Sequence, residues 1–177
     1  MNVLDTIASN PFLKWVVSLI LLFATLAVGN FVSKAGGQIV SLEVAPSPDK
    51  ANEIIKRLGD QGKMTNAIES IRRDWFFIVA YAITFAFYVF IAREVFKENS
   101  ATIIYQVGTV LIFGSFVAGV CDVIENLAML KMLKDEVAKY PYPVISSLFA
   151  TTKFLILISA FCYSWIGLLA SIGKKIS

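Results

Sequence analysis

The sequence predicts an all-α membrane protein, a four-transmembrane-helix bundle with a small helical cap outside the bilayer. Three observations carry this. The chain is 57% apolar and 13% aromatic but only 16% charged, where a soluble domain is about a quarter charged. Its mean hydropathy is +0.71. Four uncharged runs, at residues 15–32, 75–92, 101–121 and 154–173, are each roughly 20 residues long, which spans a hydrocarbon core. In lipid every backbone polar group needs an internal partner, so such runs are helices.

The elements follow in order within one membrane domain spanning 1–177. The first helix covers about 13–33. A signal peptide ending near Ala27-Val28-Gly29 is the alternative, but the run is longer than a usual signal core. Residues 34–73 form a long polar loop with short helices. Within it, residues 38–44 alternate weakly and read as extended. Pro46-Ser47-Pro48 then breaks the chain, with Ser47 as cap of a helix whose first position is Pro48. Ala51, Ile54, Ile55 and Leu58 give that helix an apolar stripe, and Gly59 is its expected end. After Gly62 a helix begins near Met64, with Ala67, Ile68 and Ile71 on one side. No breaker separates it from Trp75, so it runs into the second span, about 74–93. Residues 93–100 read as a short charged loop. The third and fourth helices are expected at about 101–134 and 143–173. The Tyr140-Pro141-Tyr142-Pro143 sequence closes the connection between them, because proline steers its predecessor away from helical angles. Residues 122–134 carry charges yet still read as helix. Ile124, Leu127, Leu130 and Leu133 there need cover, and the amphipathic pieces of the first loop emerge on the same side to supply it.

Orientation follows lysine and arginine. The side holding the first and third loops carries Lys34, Lys50, Lys56, Arg57, Lys63, Arg72, Arg73, Lys131, Lys134 and Lys139. The other carries Lys14, Arg93, Lys97, Lys174 and Lys175. The excess places the cap in the cytoplasm and both termini outside.

Several functions are disfavoured by composition. The net charge is only +3 and the basic residues are scattered, so nucleic acid is not an expected partner. The absence of histidine removes the commonest transition-metal ligand and the usual neutral-pH proton shuttle. Cys121 and Cys162 read as buried small apolar side chains. In a hairpin turning about residue 137, Cys121 is level with Phe154, so Cys162 lies roughly 12 Å deeper, too far for a disulfide. Trp15, Trp75, Tyr105, Tyr140, Tyr142 and Trp165 fit an interfacial belt, whereas Tyr81, Tyr88 and Tyr163 lie deeper. Gly108, Gly114, Ser115 and Gly119 suit close helix packing.

The informative motif is Asp122-Val-Ile-Glu125-Asn126. Positions i, i+3 and i+4 share a helix face, so two carboxylates and an amide point one way at the end of an apolar span. In a hairpin centred between residues 137 and 138, Asp122 and Lys153 fall at the same height. Asp74 opens the second span on that side, and Tyr81 is about 10 Å deeper. Ionisable groups at membrane depth face the bundle interior. Asp122 or Glu125 is therefore expected to pair with Lys153, with Asn126, Asp74 and Tyr81 close by. Three acids against one lysine leave a negative excess for Arg72, Arg73, a proton, a cation or a cationic ligand group to balance. The spacing is not diagnostic of a metal site, and no catalytic residue or cofactor is assigned.

Taken together, Ser41-Leu-Glu-Val-Ala-Pro-Ser-Pro, Asp74-Trp-Phe-Phe-Ile-Val-Ala-Tyr81, Asp122-Val-Ile-Glu125-Asn126 and Lys153 give residues 40–155 a pattern that resembles a group of small bacterial four-helix inner-membrane proteins. The resemblance implies a bacterial inner-membrane location and treats those polar positions as one unit; it carries no activity. The favoured reading is a non-catalytic membrane module with a polar cavity open to the cytoplasmic leaflet, structural in role and suited to a lipid head group or small cationic ligand. The alternatives are an intramembrane enzyme acting on a lipid or isoprenoid, with Glu125 or Asp122 as general base, and a subunit of a larger transport or respiratory complex. The expected partners are the lipid bilayer, a lipid or small-molecule ligand, and either a second copy or a larger membrane complex.

Overall fold

The computed structural model describes residues 6–7, 10–32, 37–98 and 102–173. They form six main helices: α1 (Pro11–Val32), α2 (Gly37–Glu43), α3 (Pro48–Asp60), α4 (Met64–Glu98), α5 (Thr102–Lys134) and α6 (Tyr142–Gly173). Helices α1, α4, α5 and α6 are long and apolar enough to cross a membrane, and α2 and α3 build the cap. Lys34, Lys174 and Lys175, used in the charge count, lie outside the described residues.

Helix length decides the architecture. At 35 residues α4 is roughly 50 Å long, well beyond a hydrocarbon core of about 30 Å. The surplus at its start carries Ala67 and Ile71 into the cap, as the unbroken sequence before Trp75 predicts. The far end of α5 does the same with Met129, Met132 and Leu133. These residues, with Leu42, Ile55 and Leu58 from α2 and α3, form a second apolar core outside the bundle. A water-exposed cap is held by the hydrophobic effect, which lipid does not supply between spans.

Within the bundle, α4, α5 and α6 pack closely. Gly167 of α6 meets Ala92 of α4 at a crossing where a Cβ on Gly167 would stand 2.8 Å from the Ala92 Cα. Helix α1 is peripheral, with only 6% of its apolar window buried. It docks on α4 through hydroxyl groups: Thr25 Oγ1 and Thr84 Oγ1 are 2.8 Å apart, and the Tyr88 hydroxyl donates to the Ser18 carbonyl at 2.8 Å. In hydrocarbon a hydroxyl without a partner is costly, so these bonds place a helix whose side chains otherwise face lipid. Tyr163 donates to the Ile104 carbonyl at 3.0 Å, which ties α6 to the start of α5 rather than lining a cavity.

Several local expectations are corrected. Residues 38–44 are helical through Glu43, not extended, because Ile39 and Leu42 at helical spacing both face the cap core. Gly59 lies inside α3, which ends at Asp60. The turn is made at Gly62, whose φ of 63° suits glycine. The charged stretch after residue 92 stays helical to Glu98, with Arg93 paired to Glu94 at 2.8 Å and set over the Tyr105 ring at 4.7 Å. Leu127 is exposed while Ala128 and Met129 turn inward, although Leu130 and Leu133 are covered by the cap as expected. Cys162 is exposed rather than buried, whereas Cys121 is buried and both are free. Tyr142 packs on the cap core.

Ser47 caps α3 as predicted, accepting from the Lys50 amide, with Pro48 in the first turn. The turn between α5 and α6 is pinned by Asn52 of α3, whose side chain accepts from the Ala138 amide at 2.6 Å and donates to the Ala138 carbonyl at 3.1 Å. One side chain thus satisfies both polar groups of a buried residue. Replacement Asn52→Ala should cost about 1–3 kcal/mol, since Ala138 would keep buried groups without partners. Thermal unfolding in detergent checks this, and an unchanged midpoint would show that the clamp is idle.

Candidate functional site: an acid–lysine cluster where the cap meets the bundle

The site begins with a lysine about three turns inside α6. Lys153 lies in the first half of that otherwise apolar helix and is 5% exposed. It is surrounded by carboxylates from two other elements. Nζ lies 2.9 Å from Asp122 Oδ1, 2.9 Å from Glu125 Oε2 and 3.8 Å from Glu43 Oε2. The equal heights of Asp122 and Lys153 in the helical hairpin are realised as direct contact, and both acids of the motif pair with the lysine.

The remaining members fix the carboxylates. Tyr81 of α4 donates to Asp122 Oδ2 at 2.8 Å, so Asp122 is held on one oxygen by a phenol and on the other by an ammonium. Tyr81 reaches it because Gly119, one turn before Asp122, admits Ile78 of α4 to within 3.3 Å of where a Cβ would stand. Asn126 donates to Asp74 Oδ2 at 2.7 Å, which joins the start of the second span to the same face of α5. Asp74, Tyr81, Asp122, Glu125, Asn126 and Lys153 therefore converge as the helix-face argument predicts. Tyr88 and Tyr163 do not join them; their hydroxyls go to backbone carbonyls elsewhere in the bundle.

Glu43 is the member that sequence reasoning missed. Read as part of an extended segment, it had no reason to point at Lys153. The signal was present as Ile39, Leu42 and Glu43 at i, i+3 and i+4, a helical face ending in an acid. Ser146 Oγ, fully buried on α6, donates to the Glu43 carbonyl at 3.5 Å and helps seat the helix. Burial pushes the Glu43 carboxyl above its ordinary range; Lys153 opposes that shift, and the charges of Asp122 and Asp74 add to it.

The balance of charge is uneven. Three carboxyls pair with one ammonium while Asp74 stands beside them on Asn126, and Arg73, one of the groups expected to compensate, pairs instead with Glu69 at 3.2 Å and covers the Phe31 ring. Glu125 is 0% exposed, and neither of its oxygens has a hydrogen-bond donor in good geometry, although Oε2 is in ion-pair range of Lys153. Asp122, Glu125, Asn126 and Lys153 are packed together rather than spaced around an open cavity, while Glu43 and Asp74 form the half-buried rim. Among the described residues no three carboxyl or thiol groups are arranged to hold a metal ion. A groove of about 410 Å³ on the cap, lined by Asn52, Ile55, Gly59 and Glu136 among others, includes none of the cluster.

No family model, curated protein or solved structure matches this chain. What the structure supports is a four-helix membrane-spanning bundle, with no family shown.

Removing one member of a buried ion pair strands the other, at about 3–5 kcal/mol. Lys153→Met should lower detergent stability by an amount of that order, and adding Asp122→Asn should restore part of it. The double-mutant cycle checks this, with strictly additive losses as the outcome that would refute coupling.

Proposed function

We propose that the protein is a non-catalytic module of the bacterial inner membrane whose acid–lysine cluster fastens the cap to the bundle and holds, at its rim, the cationic head group of a lipid or a small amine. The observation that carries this reading is the surplus of carboxyls: three pair with a single ammonium, and a fourth, Asp74, joins the cluster through Asn126. Asp74 accepts from a neutral amide and has no salt bridge among the described residues, so its carboxylate is the acid most in need of a cation. It stands at the half-buried rim, where an ammonium group lying at the bilayer boundary meets it without entering the packed centre. A charge-assisted hydrogen bond there is roughly twice as strong as a neutral one. The cluster offers no activated nucleophile and no histidine, and Glu125 is enclosed, which favours binding over chemistry. The bacterial inner-membrane location rests on the resemblance of residues 40–155, and the cytoplasmic placement of the cap on the lysine and arginine excess.

A ligand that binds only the folded state raises its melting temperature. Phosphatidylethanolamine added to the detergent-solubilised protein should raise the midpoint more than phosphatidylglycerol does, and Asp74→Asn should abolish the difference. Equal shifts with the two lipids would defeat the reading. For orientation, a cysteine introduced at exposed Lys50 should resist impermeant thiol reagents in intact cells and react after permeabilisation. Labelling of intact cells would place the cap outside.

A further inference from the structure

We propose that Glu43 and Glu125 share one proton, and that this proton fastens α2 over Lys153. The inference deepens the reading of the cluster as a site with surplus acid, and names one of the species that balances it. Three geometric observations carry it. First, Glu43 and Glu125 both approach the same Nζ, at 3.8 and 2.9 Å, so the two carboxyls converge on one point. Second, Glu125 is wholly enclosed and lacks a hydrogen-bond donor in good geometry. Two carboxylates cannot bond to each other, but a carboxylic acid donates to a carboxylate. One proton held between Glu43 and Glu125 supplies a donor to this pair and removes one charge from a crowded centre. Third, Glu43 is the last residue of α2, a seven-residue helix too short to be stable alone. It is the one cluster acid brought by the cap rather than by a span.

The groups facing Glu43 are Lys153 of α6, Asp122 and Glu125 of α5, and Asp74 of α4; no charged residue of α3 contributes. Lys153 and the hydrogen bond with Glu125 favour its ionised form. Burial and the neighbouring acids oppose ionisation, and the Glu43 carboxyl stands above its ordinary range. The folded state therefore binds the proton more tightly than the unfolded chain. The stabilisation is present at low pH and is lost as pH rises from the ordinary carboxylate range through the raised value. Loss of the proton leaves two carboxylates facing each other at the contact between α2 and α5, which drives α2 away from its seat on Leu42 and Ser146.

The full-length protein in lipid nanodiscs tests this in two ways. Infrared difference spectra should show the carbonyl stretch of a protonated carboxylic acid at neutral pH. Glu43→Gln and Glu125→Gln should each remove it, because either amide replaces the proton with a permanent donor. Spin labels at exposed Val40 of α2 and exposed Leu148 of α6, with Cys121 and Cys162 replaced by alanine, should show a single separation at mildly acidic pH. That distribution should broaden at alkaline pH, and Glu43→Gln should stay narrow at both. Absence of the band, its survival in both variants, or an α2 indifferent to pH would overturn the proposal. A retained preference for phosphatidylethanolamine with no such band would sink the shared proton alone. Loss of that preference with the band present would sink the amine site alone.

Discussion

The ammonium of Lys153 is the contact on which the two halves of this molecule depend. An unpaired lysine at that depth costs several kcal/mol, so the helices must bring anions to it or not fold this way. Asp122 and Glu125 come from α5 and Glu43 from α2, so one charge is shared by a span, a second span and the cap. Tyr81 extends the link to α4 through Asp122, and Asn126 extends it through Asp74. Pulling any of these elements away strands a buried charge or a buried hydrogen-bonding group. The register of the α5–α6 hairpin is set by this, since slipping either helix by one residue would turn the acids from the lysine.

Elsewhere the bundle is held by different forces, each suited to its solvent. In the cap, water drives burial of Leu42, Leu58, Ile71, Met129 and Leu133 around a common centre. Between the spans there is no such drive, and contact comes from small residues and hydrogen bonds. Gly119 and Gly167 let helix backbones approach, while hydroxyls of Thr25, Thr84 and Tyr88 attach the outlying α1. The acid–lysine cluster sits where these regimes meet. There a charge can be partly enclosed yet remain reachable from the boundary, which is the geometry a head-group site requires.

The departures from expectation share a cause. The segment before Pro46 was read as a strand because short apolar runs do not separate period two from period 3.6. Packing against the cap decided for the helix, and with it the direction of Glu43. The exposed Leu127 reflects the same limit. A span bounded by charges does not show which of its apolar residues face lipid and which face a neighbour, because both environments accept leucine equally. Cys162 is exposed for that reason too, on a face of α6 that meets no other helix.

The number of spans, the continuity of α4 into the cap, and the pairing of Asp122 with Lys153 were determined by the sequence alone. Those follow from local rules: hydrocarbon thickness, backbone self-satisfaction, and equal heights in a hairpin. Tertiary structure alone decided that Glu43 completes the cluster, that Arg73 is spent on Glu69, and that the acids close tightly around the lysine instead of lining a cavity. Each depends on how separate helices rotate against one another, and rotation is set by three-dimensional packing that no single helix encodes.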